Sequence, residues 1–215
     1  MLLARREERL RSLAEEIGGE YELCDVSDRA AVDAVASRVR ERHPRITLLM
    51  NNAGIPARTN FLDGEPDRIE QAIGTNYLGS IWCMRAFLPA LEAGAPSHVV
   101  NVVSVAGTVA LPWSGPYGAS KHAQLAFSRA VSGPLRKRGV SVHTVNPGFV
   151  ETEGFPQSHL PGPVRRTVLA PDAIARHIVK LLDRGPTETT IPRWYRIGAV
   201  AQALAPTFVA RVLSR

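Results

Sequence analysis

The chain has 215 residues, 45% of them hydrophobic, and 26 Lys and Arg against 20 Asp and Glu give a net charge of +6. This size and balance suit one domain with a substantial core and exclude a disordered, fibrous or membrane-bundle chain. The basic residues are dispersed (Arg5-Arg6, Arg38 to Arg42, Arg136-Lys137-Arg138, Arg165-Arg166) and many share a helix with Glu or Asp, so a solvated surface is expected and nucleic-acid binding is not.

The N-terminus does not read as a signal peptide, because Arg5, Arg6, Glu7, Glu8 and Arg9 interrupt it early. Arg6 to Ile17 reads as a helix with Leu10, Leu13, Ala14 and Ile17 on one face, stopped by Gly18-Gly19. Glu20 to Cys24 is a short strand. Asp25-Val-Ser-Asp28 turns the chain and can cap a helix that carries Val32, Val35, Ala36 and Val39 inward. Ile46 to Met50 is expected as a buried strand. The alternation predicts a parallel sheet covered on both faces.

Asn51 to Gly64 is a loop at a strand's C-terminal end, where ligands of open α/β sheets bind. Ala53 and Gly54 would let a ligand lie close against the backbone, although Asn51-Asn52-Ala53-Gly54 is also ordinary turn chemistry. Pro66 to Ala93 is a long helical stretch. Asn76, flanked by Gly74 and Gly79, predicts a local irregularity in it. His98 to Val103 is the next strand, and a helix runs from about Tyr117 to Arg138. Val140 to Val145 is another strand, leaving through Asn146-Pro147-Gly148-Phe149-Val150.

Gly154 to Ala170 is Pro-rich and irregular and reads as a substrate lid. Phe155, Leu160, Val164 and Leu169 make it apolar, as Val109, Leu111 and Trp113 do the loop after Ser104, so a lipophilic substrate is expected. Pro171 opens a helix with Ile174, Ile178, Leu181 and Leu182 inward. Glu188 to Ile191 is a last strand. The domain is expected to end near residue 192. The tail from 193 to 215 is apolar but too short and interrupted to span a bilayer. Packing on a partner subunit is its first expected role, and peripheral membrane contact its second. Cys24 and Cys83 lie in apolar surroundings and suit free thiols in a reducing cytoplasm. The six His have no metal-ligand spacing, so no metal site is expected.

Three groups between Ser104 and Lys121 can do chemistry together. Tyr117 and Lys121 are four residues apart, hence on one face of a helix. A cation beside a phenol favours the phenolate and would lower the Tyr117 pKa, bringing its proton exchange toward neutral pH. Ser104, at a strand end, can hydrogen-bond a substrate oxygen. Taken alone, the Tyr117 and Lys121 spacing usually means a solvated helix face, and the Ser104 hydroxyl ahead of it strengthens the catalytic reading.

With these groups the sequence resembles the short-chain dehydrogenase/reductase family. Asp25-Val26, Asn51-Asn52-Ala53-Gly54, Asn76 in Asn-Tyr-Leu-Gly-Ser, the set Ser104, Tyr117 and Lys121, and Asn146-Pro147-Gly148-Phe149-Val150 with Thr152 occur in the family's order. The match covers nearly the whole chain. It implies an α/β, Rossmann-like doubly wound parallel sheet in a single domain. Met1 to Arg6 is similar to the end of the family's second strand, and no Gly-rich cofactor turn precedes it, so the first strand-helix unit is expected to be missing from the sheet.

The resemblance implies an oxidoreductase that interconverts a carbonyl and a secondary alcohol. Tyr117 would move the proton. Lys121 would lower its pKa and hold the nicotinamide ribose, Ser104 would orient the substrate oxygen, and Asn76 would support a water relay. Asp25 and Val26 would contact adenine. Asn52, Ala53, Gly54, Pro147 and Gly148 would lie along the cofactor, with the Val150 backbone and the Thr152 hydroxyl on the carboxamide. Arg5 and Arg6 stand where an acid would bind the ribose of NAD, so NADP(H) is expected over NAD(H), carbonyl reduction follows, and solvated arginines are the alternative. Relatives imply a homodimer or homotetramer through the two long helices. The competing expectations are a non-catalytic scaffold acting through binding or subunit association, and a stretch of a longer active enzyme.

Overall fold

The computed structural model describes residues 1–56, 64–158, 160 and 162–214. The loop expected from Asn51 to Gly64 therefore lies in part, at 57–63, outside the described residues, as do positions 159 and 161 of the expected lid and the last residue of the tail.

Strand β1 (Leu2–Ala4) leads into helix α1 (Glu7–Ile17). Gly18 ends the helix at φ 62°, a left-handed conformation natural to glycine, with its N–H turned back to the Ala14 and Glu15 carbonyls. β2 (Tyr21–Leu23) follows. Asp28 caps α2 (Arg29–Arg42), its carboxylate accepting from the Ala30 and Ala31 N–H groups at 2.8 and 3.2 Å. Then come β3 (Leu48–Asn51), α3 (Pro66–Ile73), a π-helical turn (Gly74–Leu78), α4 (Gly79–Ala93) and β4 (Ser97–Val102). α5 (Gly115–Arg136), β5 (Val140–Pro147), α6 (Gly162–Arg165), α7 (Pro171–Arg184), β6 (Glu188–Ile191), α8 (Tyr195–Leu204) and α9 (Pro206–Leu213) follow.

All strand pairs are parallel, as helical crossovers require. The sheet is doubly wound, because side chains alternate between its faces. Val99, Val140 and Val142 meet Val32, Val35, Val39, Phe87 and Leu91 from α2 and α4. Val100 and Val145 meet Ile174, Ile178 and Leu181 of α7. Full burial of each such side chain is worth about 1.5–3 kcal/mol.

Strand order is β1-β2 in one sheet and β3-β4-β5-β6 in another. Among the described residues, the second edges of β1 and β3 have no strand partner. Both border a cleft of about 1030 Å³, lined by Leu2, Leu3 and Ala4 on one side and Leu48, Leu49 and Met50 on the other. The cleft corrects one expectation. β3 was expected to be buried, yet Leu48 and Met50 are 40% and 43% exposed. α1 is likewise thinner in contacts than its periodicity suggests: Leu10 and Ala14 are buried while Leu13 and Ile17 face solvent.

A row of buried polar side chains crosses the larger sheet. Asn51 donates to Asn101 at 2.8 Å and Asn101 to Ser128 at 2.9 Å, while Ser128 and Thr144 share a hydrogen bond of 2.6 Å. At the other end of the sheet, Gly94 caps α4 against the backbone of Ile46. A Cβ on Gly94 would stand 2.3 Å from the Ile46 oxygen and 2.8 Å from its carbonyl carbon. Gly94→Ala is therefore expected to cost about 1–3 kcal/mol, read as a lower urea midpoint at unchanged slope.

Candidate active site

β4 delivers the chain to Ser104, whose hydroxyl accepts from the Ala106 N–H at 3.1 Å and so starts a short 3-10 turn. The turn lies on α5 at Gly107, where a Cβ would come within 2.8 Å of the Lys121 carbonyl oxygen. That close approach seats Ser104 beside the first turns of α5. The Ser104 hydroxyl acts on the Tyr117 phenol and favours its ionised form. The ring of Phe155, from the loop after β5, stands 5.7 Å from the Tyr117 ring centre. Burial pushes the Tyr117 phenol above its ordinary pKa, and the influence of Ser104 offsets this only in part.

Lys121 lies one turn on and is 4% exposed. Its Nζ donates to the Val102 carbonyl at 3.0 Å and to Gln124 Oε1 at 2.9 Å. Both acceptors are neutral, so burial lowers the pKa to about 7. The expectation that Lys121 lowers the Tyr117 pKa is corrected by this arrangement. Lys121 is not among the influences on the phenol, whose titration follows burial and Ser104.

Asn76 sits in the π-helical turn and is fully buried. π-turns inside α-helices often mark functional sites. Its amide accepts from the Ile55 N–H at 2.8 Å and donates to the Ile55 carbonyl and to Ser120 Oγ, both at 3.0 Å. Ser120 in turn donates to the Tyr117 carbonyl at 2.7 Å. One side chain thus ties the loop after β3 to α5. Gly54 lies in the same corner: a Cβ there would be 3.4 Å from Asn76 Oδ1 and 3.7 Å from Lys121 Nζ. Asn76→Ala is expected to lower stability by about 2–4 kcal/mol, because it strands the polar groups of Ile55 and Ser120, and chemical denaturation reads this directly.

The other expected residues fall into two groups. Arg5, Arg6, Asp25, Val26, Asn52, Ala53 and Gly54 all line the cleft between the half-sheets, with Thr75 and Gly79. Burial alone would raise the Asp25 pKa, but bonds from Ser27 and the pairing with Arg5 hold it below the usual carboxylate range. Arg5 pairs with Asp25 at 3.4 Å and Arg6 with Glu153 at 3.9 Å; both arginine side chains are largely exposed. Such pairs hold about 0–1 kcal/mol and yield readily to a stronger anion.

Pro147, Gly148, Val150 and Thr152 form the second group, at and beyond the end of β5 and outside the lining of the cleft. Val150 bridges to Leu169, and the Thr152 hydroxyl accepts from the Phe155 N–H at 3.1 Å. Gly148 is covered by the ring of Tyr195, which a Cβ would meet at 2.4 Å. Four contributors escape a reading of the sequence: Ser120, Gln124, Tyr195 and the tilted ring contact of Phe155 with Tyr117. Gln124 could have been found, since it lies three residues from Lys121 on the same helical face. Tyr195 gave no signal, because it reaches Gly148 only through the path of the folded chain.

The family model for short chain dehydrogenase matches residues 1–159. The chain is 32% identical over 163 residues to dehydrogenase/reductase SDR family member 7B of Xenopus laevis, covering 71% of this chain and 50% of the relative. It is 33% identical over 159 residues to epidermal retinol dehydrogenase 2 of Mus musculus, covering 73% and 52%. The chain spans about half the length of the curated relatives it matches. Among solved structures, a short chain dehydrogenase from Burkholderia cenocepacia J2315 in complex with NADP superposes with a TM-score of 0.81 at 27% identity, over 98% of this chain and 84% of that one.

Proposed function

The chain belongs to the short-chain dehydrogenase family, and from that premise we propose that it serves an NADP(H)-dependent oxidoreductase interconverting a carbonyl and a secondary alcohol on a lipophilic small molecule. One observation carries the reading: the turn that begins at Ser104 packs on α5 at Gly107, against the helix that carries Tyr117 and, one turn further on, the buried Lys121.

The residues present fit a dinucleotide. The cleft is large enough for one, and it has Arg5 and Arg6 at its rim and the small residues Ala53 and Gly54 on its floor. An ammonium has three donors, and among the described residues Lys121 uses two of them on Val102 and Gln124, which leaves one for a ribose hydroxyl. Asp25 and Val26 would flank the adenine, Asn52 the adjoining ribose, and Pro147, Gly148, Val150 and Thr152 the nicotinamide. The bound nicotinamide would supply or accept the hydride. Arg5 would pair with a 2′-phosphate through forked hydrogen bonds, which favours NADP(H), the cofactor in the Burkholderia structure.

Ser104 holds the substrate oxygen, and Tyr117 gives or takes the proton at its phenolic oxygen. A phenol kept protonated by burial is poised to donate, so carbonyl reduction is the favoured direction. Asn76 keeps the loop of Gly54 and the helix of Tyr117 in register. Val109, Leu111 and Trp113, with Phe155, give the substrate side its apolar character, and one relative is named for retinol. Self-association through α4 and α5, as a homodimer or homotetramer in a reducing cytoplasm, completes the proposal.

A second reading, a scaffold that binds or associates without turnover, is favoured by the cleft that separates β1 from β3. NADPH titration of the chain, followed by cofactor fluorescence and thermal shift, separates the two. Saturable binding with stabilisation of about 2.7 kcal/mol at a hundred times Kd is the expected result. A well-folded chain that binds no NADPH would reject the oxidoreductase reading in favour of the scaffold.

A further inference from the structure

The tail turns one side inward and the other to solvent. Inward, the Tyr195 ring lies on Gly148 and at 6.4 Å from the Phe149 ring centre. Gly198 approaches Val109, and Gln202 accepts from the Ala110 N–H at 3.3 Å. These contacts fix α8 to the domain. Outward, Ile197, Leu204 and Phe208 are 74%, 81% and 67% exposed, and Val200 and Val212 are more than half exposed. Ile197, Val200 and Leu204 recur at helical spacing along α8, as Phe208 and Val212 do along α9. Trp194, 51% exposed, stands at the start of this row. A run of large apolar side chains left in water at this density marks a contact surface.

Charge selects the occupant. The exposed charged residues beside the row are Arg193, Arg196 and Arg211, and no Asp or Glu occurs from 193 to 215. A second copy docked by the same face would set arginines against arginines, with no carboxylate from 193–215 to pair them. The helices have 10 and 8 residues, about 15 and 12 Å at 1.5 Å per residue, too short to cross a bilayer. Aromatic and aliphatic side chains flanked by arginine are what a helix lying in the headgroup region of an anionic bilayer presents.

We propose that the outer face of α8 and α9 docks the protein on an anionic membrane surface, with Ile197, Leu204 and Phe208 entering the acyl boundary and Arg193, Arg196 and Arg211 pairing with lipid headgroups. The site's chemistry plays no part in this inference, which stands or falls independently of the proposed oxidoreductase activity.

The test is co-sedimentation of the 215-residue chain with phosphatidylcholine vesicles, and with vesicles one-third phosphatidylserine, alongside light scattering without lipid. The chain is expected to bind the anionic vesicles at least about tenfold more tightly, an advantage that salt diminishes. Reversing Arg193, Arg196 and Arg211 to Glu should remove the preference. Leu204→Ser with Phe208→Ser should lower binding about tenfold while leaving the melting temperature in place, since both side chains are already exposed. Equal pelleting of wild type and variants, or no pelleting, would overturn the proposal. So would a lipid-free dimer that the Leu204 and Phe208 substitutions dissolve, which would assign the face to a second copy.

Discussion

A Tyr117→Phe chain is expected to fold, to bind NADPH as the wild type does, and to turn over a carbonyl substrate about 10²–10⁴ times more slowly. The substitution removes one oxygen. The ring, its place in α5 and its contact with Phe155 remain, so packing is conserved. The loss falls on a single proton donor, the phenol on which the Ser104 hydroxyl acts. The cost to stability is about 1 kcal/mol, the value of one modest hydrogen bond. Measuring kcat together with the urea midpoint separates the two effects. Turnover within a few-fold of wild type would show that the proton comes from elsewhere, and the proposed mechanism would fail.

Lys121 yields the second large effect, on stability against pH. An unfolded lysine keeps its proton to about pH 10.4, whereas burial brings the folded one to about 7. Between these values the unfolded chain holds more protons than the folded chain, so stability rises with pH. The contribution is present in full above the unfolded pKa and is lost as pH falls through 7. From pH 7 to 8 the gain is about 1 kcal/mol for a site this deeply buried. Cys83, pushed up to about 12 by burial, and Cys24, also raised by burial, work in the opposite sense once unfolded thiols ionise at about pH 8.5, so the clean window closes at about pH 8. Melting curves of the wild type should climb across this window and those of Lys121→Met should not. Parallel slopes would mean that Lys121 keeps its charge through another partner.

Much of the architecture was legible because it rests on local chemistry. Gly18-Gly19 stops α1, Asp28 caps α2, Pro171 opens α7, and β6 falls at Glu188–Ile191 as expected. The irregularity at Asn76 could be anticipated from two glycines and an amide in a helix interior, and it takes the form of a π-turn. What the sequence hid depends on distance along the chain. Leu13, Ile17, Leu48 and Met50 are apolar and correctly spaced, yet they remain exposed because burial depends on what covers a face. The influence on Tyr117 went the other way from the sequence argument for the same kind of reason. A four-residue spacing puts Lys121 on the right face, but the nearby Val102 carbonyl and Gln124 decide where its ammonium points.

The buried row from Asn51 through Asn101 and Ser128 to Thr144 also acts as an alignment key. Apolar strands such as β4 and β5 can slide past one another at little loss, since valine replaces valine. If β3 slips by one residue, the Asn51 amide turns to the opposite face and Asn101 is left with an unmet acceptor in the core. Only the native offset closes every bond in the row. Because Asn52, Ala53 and Gly54 follow Asn51 directly, the same key sets how far that loop extends beyond the sheet, and so how near it comes to Asn76 and Lys121.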